Sequence, residues 1–450
     1  MKVGLIGNMN NNNFALLRYF RDLGIEAYLL LYANDGQGTL SHFKPECDTW
    51  NIRKWESFIH QTDIPNAPVA AIDFPLSWFM AARSRLRAWF GLQDGCVSAV
   101  SRKQIRNAYA EFDRLVASGI SPATLLRINQ RLDIFYPYAS RVEFLGTGEF
   151  VSQFASANKL TNVIYRKIVD RQARGIKTAL YTLNYEMGVT HDTLCGIGVS
   201  PQKLAIPMVY NNEQLPNYAP TEYLGEVAKL IASTSFSLLH QSRLMWKNTG
   251  NYSEEDWRYE SKNTQWLIHA FAEFVGARPE LNPLLFMVEY GPDVKVTKNL
   301  AMELGIVNRI KWLPKMERRE LMWLLSRVTI GCGEFYDVPR MIWGGTGWEA
   351  LASGKPLLQG FNFEPGEFEW IYGYPQPSML PVRKQDDILS HLLEISDNPK
   401  KCEEIGRGAK KWFNQYNGIG LAKQWLDLLM TNREGAPSEK QILKKQGVRA

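Results

Sequence analysis

The sequence predicts an α/β protein of two domains, each built on a Rossmann-like, doubly wound parallel sheet. Three observations support this class: a strand–loop–helix–strand opening, a second alternating region that begins near Tyr223, and a length of 450 residues, which suits roughly two to three domains. Parallel strands joined by helices form such open sheets through right-handed crossovers.

The opening elements follow from hydrophobic spacing. Lys2 to Ile6 is a short β-rich run and predicts the first strand. Apolar residues recur at helical spacing from Phe14 to Leu23, and Gly24 closes this predicted helix. Ile25 to Leu31 then predicts the next strand, so the chain opens as a β-loop-α-β unit.

The loop between the first strand and helix runs from Asn8 to Asn13 and is asparagine except at Met9. No GxGxxG pattern fits it, so it is not a dinucleotide-binding fingerprint. Two interpretations are open. Asn10, Asn11 and Asn12 bind a polyhydroxyl ligand, or the loop is a turn that tolerates left-handed backbone and caps the helix.

The stretch GGTGWEALASGKPLL (344–358) indicates a ligand-binding helix start. Glycines before a helix expose unpaired amides and the positive end of the helix dipole, which suit a diphosphate. Gly345, Thr346 and Gly347 are therefore expected to bind a diphosphate-bearing ligand, and Glu349, expected in the first turn, to accept hydrogen bonds from its ribose hydroxyls. The alternative is that these glycines serve as a cap or a close packing contact.

Several segments follow one another between residues 230 and 360. Arg243 closes the run HQSR, Lys262 opens a helix-like segment, EYGPD ends a strand, and LGIVNRIKWLP precedes Glu349. This order resembles the nucleotide-sugar-binding half of the retaining glycosyltransferases of family 4 (glycosyltransferase group 1). The resemblance implies the GT-B fold, in which two Rossmann-like domains face a cleft.

The resemblance also implies catalytic roles. Arg243 and Lys262 would stabilise the departing diphosphate. Glu334, in GCGEFYDVP, would act on the transferred sugar as the first of the family's two glutamates. The family's usual spacing puts that glutamate eight residues before Glu349, where this chain has Met341.

The function implied is that of a retaining hexosyltransferase. It would move a sugar from a nucleotide-sugar donor to a glycan or lipid-linked acceptor, in cell-surface polysaccharide or glycoconjugate synthesis. No cofactor or metal is expected, because two fixed cations and a helix dipole take the place of Mg²⁺. The alternatives are a GT-B nucleotide-sugar epimerase or phosphorylase, and a non-catalytic protein that binds sugar nucleotides or a membrane surface.

Composition shifts suggest the domain boundaries. We expect an acceptor-side domain over residues 1–206, a Pro/Asn-rich linker over 207–222 and a nucleotide-sugar-binding domain over 223–417. An amphipathic helix within 418–432 is expected to cross back to the first domain. Residues 433–450 are expected to form a charged, flexible tail.

Positive charge is concentrated in the acceptor-side domain. Residues 76–177 hold 16 Lys+Arg and 7 Asp+Glu, whereas the whole chain carries only +6. Within them, residues 77–90 plot as a helix with an apolar sector of tryptophans and phenylalanines flanked by arginines. Such a helix either binds an anionic membrane surface or packs on its own domain. No nucleic-acid recognition motif is visible, so no nucleic acid is expected as a partner.

The remaining observations concern compartment and acceptor. No apolar run is long enough to cross a bilayer, and five cysteines are scattered without metal-ligand spacing. We therefore expect a cytoplasmic protein, peripheral at the inner face of the membrane if residues 77–90 bind it. His42 and His191 are candidate acceptor-side residues, although an isolated histidine is more often structural.

Overall fold

The computed structural model describes residues 1–36, 43–45, 53–73, 100–137, 159–184, 188–212, 220–250 and 252–431. The first sheet and its helices comprise β1 (Lys2–Ile6), α1 (Asn12–Asp22), β2 (Glu26–Leu31), β3 (Ile59–Gln61), α2 (Arg102–Tyr109), β4 (Arg114–Ala117), α3 (Ser121–Leu126), β5 (Ile134–Phe135), α4 (Lys159–Thr178), β6 (Tyr181–Thr182) and α5 (Val189–Gly196).

The second sheet and the helices that follow it complete the described chain. They comprise α6 (Glu222–Ala232), β7 (Ser237–His240), α7 (Glu254–Glu260), α8 (Thr264–Ala277), β8 (Leu284–Val288), α9 (Val294–Glu303), β9 (Ile310–Leu313), α10 (Arg318–Leu325), β10 (Ile330–Cys332), α11 (Gly345–Ala352), β11 (Leu357–Gly360), α12 (Glu367–Tyr372), β12 (Leu380–Val382), α13 (Gln385–Asp397), α14 (Pro399–Tyr416) and α15 (Ile419–Met430).

The two sheets share one topology. The first has the strand order β3-β2-β1-β4-β5-β6, and the second has β9-β8-β7-β10-β11-β12. All neighbouring pairs are parallel, and counted within each half both orders read 3-2-1-4-5-6, the Rossmann order. The predicted fold class, two doubly wound parallel sheets, is confirmed.

Both faces of each sheet are covered, as the alternation of core residues shows. In β2, Leu29 and Leu31 join one apolar cluster and Leu30 joins another. In β8, Phe286 and Met287 divide in the same way. Since successive side chains of a strand point to opposite faces, helices must cover both sides.

The last helix, α15, packs against α1 of the first half. The Trp425 indole donates a hydrogen bond to the Ala205 carbonyl at 2.9 Å and its ring lies 5.3 Å from that of Tyr136. Arg114 Nε donates to the Leu429 carbonyl at 2.8 Å. The end of the described chain is thus tied to residues of the first sheet and its connections.

Several expectations fall outside the described residues: the proposed membrane helix at 77–90, His42, and the tail at 433–450. Among the helices that the structure describes, none has both the length and the apolar character needed to cross a bilayer.

Candidate functional site

The strand order of the second sheet reverses between β7 and β10, which pair through Cys332 and His240. Ligands of open α/β sheets bind at such a reversal, beyond the carboxyl ends of the strands. A cavity of about 630 Å³ lies there, which we call the edge cavity. Its lining residues are Gln241, Val288, Tyr290, Lys315, Met316, Glu317, Arg318, Glu320, Leu321, Glu334, Gly345, Thr346 and Glu349.

Lys262, Glu334 and Tyr336 form one hydrogen-bonded cluster at the Glu334 end of this cavity. Lys262 Nζ lies 3.5 Å from Glu334 Oε1 and donates to the Tyr336 hydroxyl. The Tyr336 hydroxyl donates to Glu334 Oε2 at 2.5 Å. Burial, and then the charge of Glu334, raises the pKa of Tyr336 above its usual range, so the phenol remains a neutral donor.

Backbone bonds place this cluster. The Phe335 amide donates to the Lys262 carbonyl at 3.1 Å, and the Asn263 side chain donates to the Phe335 carbonyl at 2.7 Å. These bonds join the start of α8 to the loop after β10. Gln359 fixes the same loop from β11, because its side chain bonds both the amide and the carbonyl of Glu334.

Arg243 follows β7 and approaches the same cluster from another side. Its side chain is 42% exposed, and Nη2 lies 4.0 Å from Glu260 Oε2. Its positive charge acts on the Tyr336 phenol and opposes the increase in the pKa of that group. Lys262 bonds Tyr336 directly, whereas Arg243 acts on it through its charge, and neither cation lines the edge cavity among the described residues.

The loop EYGPD holds the Arg243 segment in place. Gly291 has a φ of +114°, and a Cβ there would lie 2.3 Å from the Leu244 carbonyl oxygen. The Leu244 amide donates to the Tyr290 carbonyl at 2.7 Å. Asp293 Oδ2 accepts from the amides of Trp246 and Lys247 at 2.6 and 2.8 Å. Glycine is needed here because the two backbones touch.

Replacing Gly291 by alanine is therefore expected to lower the free energy of unfolding by more than the ~1–3 kcal/mol of left-handed backbone strain alone. Gly305 provides the control, since its φ is +69° but a Cβ there has no atom within 4 Å. Urea unfolding of Gly291→Ala and Gly305→Ala should show the larger loss for the former. Equal losses would mean that the contact with Leu244 has no energetic role.

Glu349 lines the edge cavity. The prediction that it lies in the first turn of α11 is wrong, because the helix begins at Gly345 and Glu349 is its fifth residue. Its Oε1 accepts from Arg318 Nε at 2.7 Å. Its Oε2 lies 3.4 Å from Gln241 Nε2. The carboxylate is 7% exposed, so Arg318 compensates a charge that is almost buried.

The start of α11 divides the predicted glycines by role. Gly345 and Thr346 line the edge cavity, and the Ser242 hydroxyl donates to that of Thr346 at 3.0 Å. Gly347 is buried, and a Cβ there would lie 2.5 Å from Cβ of Trp343. The absence of a side chain at Gly347 makes room for Trp343. The geometry therefore supports the alternative interpretation of Gly347, a close packing contact.

His240, at the end of β7, lies completely buried beside the site. Among the described residues, neither ring nitrogen has a hydrogen-bond partner. Burial lowers its pKa to about 4, compared with 6.5 in the unfolded chain. The folded state therefore favours the neutral ring, so this contribution to stability is complete above pH 6.5 and is lost as the pH falls toward 4.

We expect His240→Leu to make the protein less sensitive to acid. Between about pH 7 and pH 4.5, the wild type should lose about 2–3 kcal/mol more unfolding free energy than the variant, because folding lowers the pKa of His240 from 6.5 to about 4. Urea unfolding at both pH values measures this difference. Equal losses of unfolding free energy in the two proteins would show that His240 does not titrate between these two pH values.

The asparagine loop behaves mainly as a turn. Asn10 and Asn11 have φ of 47° and 66°, and the Asn13 side chain donates to the carbonyls of Ile6 and Gly7 at 3.0 and 2.8 Å. Asn8 Oδ1 accepts from the Phe14 amide, which braces the start of α1. Asn10 is exposed, whereas Asn12 is buried and its side-chain amide has no partner in the described chain.

His191 lies on α5, where its Nδ1 is 3.3 Å from the carboxylate of Asp192. Both belong to the first half, after β6, and no described contact links His191 to the edge cavity. Throughout the described ranges, no group of three or more His, Cys, Asp or Glu side chains is arranged to hold a metal ion.

The site residues that the sequence analysis missed include Arg318, Tyr336, Gln241 and Lys315. Arg318 stands in the charged run MERREL, where nothing distinguishes it from its neighbours. Tyr336 follows Glu334 by two residues, a spacing that could have indicated a shared loop. Lys315 lies over the Tyr290 ring, with Nζ 4.4 Å from its centroid, a cation–π contact between separate strand ends.

Neither a protein-family model nor a curated protein sequence matches this chain. Among solved structures, it is similar to the Anabaena protein HepE in complex with UDP, with a TM-score of 0.54 at 15% identity over 96% of this chain and 100% of that one. The complexes of HepE with UDP and glucose and with UDP-glucose give TM-scores of 0.53 and 0.52, at 15% and 16% identity and the same coverage. This likeness agrees with a GT-B fold of two Rossmann-like domains.

Proposed function

We propose that this chain is a glycosyltransferase that moves a sugar from a nucleotide-sugar donor to a glycan or lipid-linked acceptor with retention of anomeric configuration. The observation that carries the proposal is the meeting of Glu334 and Glu349 in the edge cavity. They are separated in sequence by the long loop after β10, yet both reach one cavity at the strand reversal, with Lys262 paired to Glu334.

The donor is proposed to lie along this edge of the sheet. Glu349 Oε2 accepts hydrogen bonds from the ribose, while Arg318 holds the other oxygen of the carboxylate. The diphosphate lies at the start of α11 near Gly345 and Thr346, where backbone amides and the helix dipole favour an anion. HepE is known with UDP and with UDP-glucose bound, so UDP-sugars are the first donors to test.

The reaction breaks the bond between the anomeric carbon and the diphosphate oxygen. The acceptor oxygen bonds to the same carbon on the same face, and its proton passes to the departing diphosphate. Lys262 and Arg243 stabilise the negative charge that grows on the leaving group. Glu334 stabilises the positive charge that develops on the sugar, and the Tyr336 hydroxyl holds this carboxylate in position.

The acceptor is proposed to bind on the first domain, near the carboxyl edge of its sheet. Asn10, Asn11 and Asn12 follow β1 at that edge, and His42 and His191 are the other candidates. The excess of positive charge in residues 76–177 suits an acceptor carried on an anionic lipid surface, with residues 77–90 as the contact.

The test is product analysis. The full chain is incubated with several nucleotide sugars and with lipid or glycan extracts, and mass spectrometry follows free nucleoside diphosphate and glycosylated product. The proposal requires both products in equal amounts, and their loss in Glu334→Gln. An altered sugar nucleotide without an acceptor product would indicate an epimerase, a phosphate-dependent sugar phosphate would indicate a phosphorylase, and donor binding without turnover would indicate a binding protein.

Transfer is expected to survive EDTA, because fixed cations and a helix start neutralise the leaving group. Rates are measured in excess EDTA, then after addition of Mg²⁺ or Mn²⁺, with untreated enzyme as the control. Complete loss on chelation and full recovery with a divalent ion would contradict the role proposed for Arg243 and Lys262.

A further inference from the structure

A second cavity, of about 460 Å³, lies at the opposite, amino-terminal edge of the second sheet. We call it the basic cavity. It is enclosed by the residue before β10, the turn between α11 and β11, and one face of α14. Its lining residues are Thr329, Gly354, Lys355, Pro356, Cys402, Glu403, Gly406, Arg407 and Lys410.

Close backbone packing brings the cations of this cavity together. Gly354 has a φ of +72°, and a Cβ on Gly406 would lie 2.4 Å from the Gly354 carbonyl oxygen. Because α14 approaches the turn so closely, Arg407 and Lys410 on the helix line the same cavity as Lys355 on the turn. Glycine at both positions therefore shapes the cavity.

Among the described residues, these cations lack counter-ions. In the part of the chain that the structure describes, no carboxylate oxygen lies within 4.0 Å of the side-chain nitrogens of Lys355, Arg407 or Lys410. Glu403 is the one acidic residue among the lining residues described. Lys410 donates to the Ala352 carbonyl at the end of α11 and so caps that helix. No such capping role is seen for Lys355 or Arg407 among the described residues.

Lys355 and Lys410 are half-buried, whereas Arg407 is exposed, so the absence of counter-ions is costly for the two lysines. Burial lowers the pKa of Lys355, the neighbouring Cys402 partly opposes this decrease, and the charge of Arg327 adds to it. Burial also lowers the pKa of Lys410. Such a half-buried ammonium group loses hydration without gaining an anion, so an anion that enters this cavity would be stabilised by Lys355 and Lys410 and by the exposed Arg407.

We propose that the basic cavity binds the phosphate group of a small phosphorylated molecule. Three cations around one cavity suit a dianionic phosphate monoester better than a carboxylate, because Arg407 can bind two oxygens while Lys355 and Lys410 act as point charges. The cavity volume of about 460 Å³ leaves room for a sugar-sized group beside the phosphate. The site is separate from the edge cavity, which lies at the other end of α11.

The test must separate this site from the proposed donor site, since both attract phosphate. Thermal unfolding and calorimetric titration use orthophosphate and ribose 5-phosphate as probes, on the full chain. The variants are Lys355→Gln/Arg407→Gln in the basic cavity and Arg243→Ala/Lys262→Ala at the donor site. Lys410 is left unchanged because it caps a helix.

The wild type and the donor-site variant should be stabilised equally by ribose 5-phosphate. The basic-cavity variant should bind it at least about tenfold more weakly for each cation removed. Without ligand, this variant should unfold at the same temperature as the wild type or higher, since uncompensated charges are removed. A second measurement uses vesicles that contain phosphatidic acid. If Lys355→Gln/Arg407→Gln weakens binding to these vesicles but not to the soluble phosphates, the phosphate group bound is that of a lipid headgroup.

Two results would overturn the proposal. One is loss of phosphate binding only in Arg243→Ala/Lys262→Ala, which would place all binding at the donor site. The other is unchanged binding of every probe in Lys355→Gln/Arg407→Gln. Failure of sugar transfer would affect neither result, so the two proposals are tested independently.

Discussion

Replacing Lys262 by alanine is expected to slow sugar transfer by roughly 30- to 1,000-fold, about 2–4 kcal/mol of transition-state stabilisation. Lys262 is 12% exposed and lies 3.5 Å from Glu334, so its charge acts in a poorly hydrated site. The diphosphate gains charge as the sugar departs, and the loss should therefore fall mainly on turnover.

Two matched variants test this assignment. Arg243→Ala should show a loss of similar size with no fall in melting temperature, because Arg243 is 42% exposed. Lys229→Ala removes an exposed lysine, 76% accessible and paired with Glu226, and should leave turnover unchanged. Wild-type turnover in Lys262→Ala would remove Lys262 from the mechanism.

The second large effect concerns stability. Arg318→Ala is expected to lower the free energy of unfolding by about 3–5 kcal/mol, because it leaves the Glu349 carboxylate buried without its partner. Arg340→Ala is the matched control. Arg340 Nε lies 2.6 Å from Glu367, a distance close to the 2.7 Å between Arg318 and Glu349, but Arg340 is 64% exposed. Its loss should be about 0–1 kcal/mol.

A double variant separates stability from binding. Arg318→Met/Glu349→Leu removes both charges, so it should recover most of the unfolding free energy lost in Arg318→Ala. Nucleotide binding should remain lost, because no carboxylate is left for the ribose. Urea unfolding and calorimetry measure the two properties. Wild-type nucleotide affinity in the double variant would contradict the ribose assignment of Glu349.

The fold was predictable because its signals are local. The run from Lys2 to Ile6 matches β1 residue for residue, and the helix predicted from Phe14 begins two residues earlier, at Asn12. Hydrophobic spacing reports which face of an element is buried, and a repeated strand–helix alternation leaves few topologies for the chain.

The site was only partly predictable because its contacts are not local. Glu349 was found from the glycines before it, but its partner Arg318 lies 31 residues away on another helix. Gly347 was predicted to bind a ligand, but the side chain of Trp343 packs against it and leaves no room for a Cβ. The spacing of residues in the sequence does not reveal this contact. The backbone of Glu334 is held by Gln359 of β11, 25 residues further along the chain, a contact that no local pattern reveals.

The most direct test of the account is calorimetric titration of nucleoside diphosphates into the wild type and into Arg243→Ala/Lys262→Ala. UDP is the first probe, followed by GDP, ADP and TDP. We predict that at least one binds the wild type and that the double variant weakens its binding by about 30-fold or more, from the loss of two charge-assisted contacts. Absence of binding by all four, or equal affinity in the two proteins, would contradict a nucleotide-sugar site at the strand reversal of the second sheet.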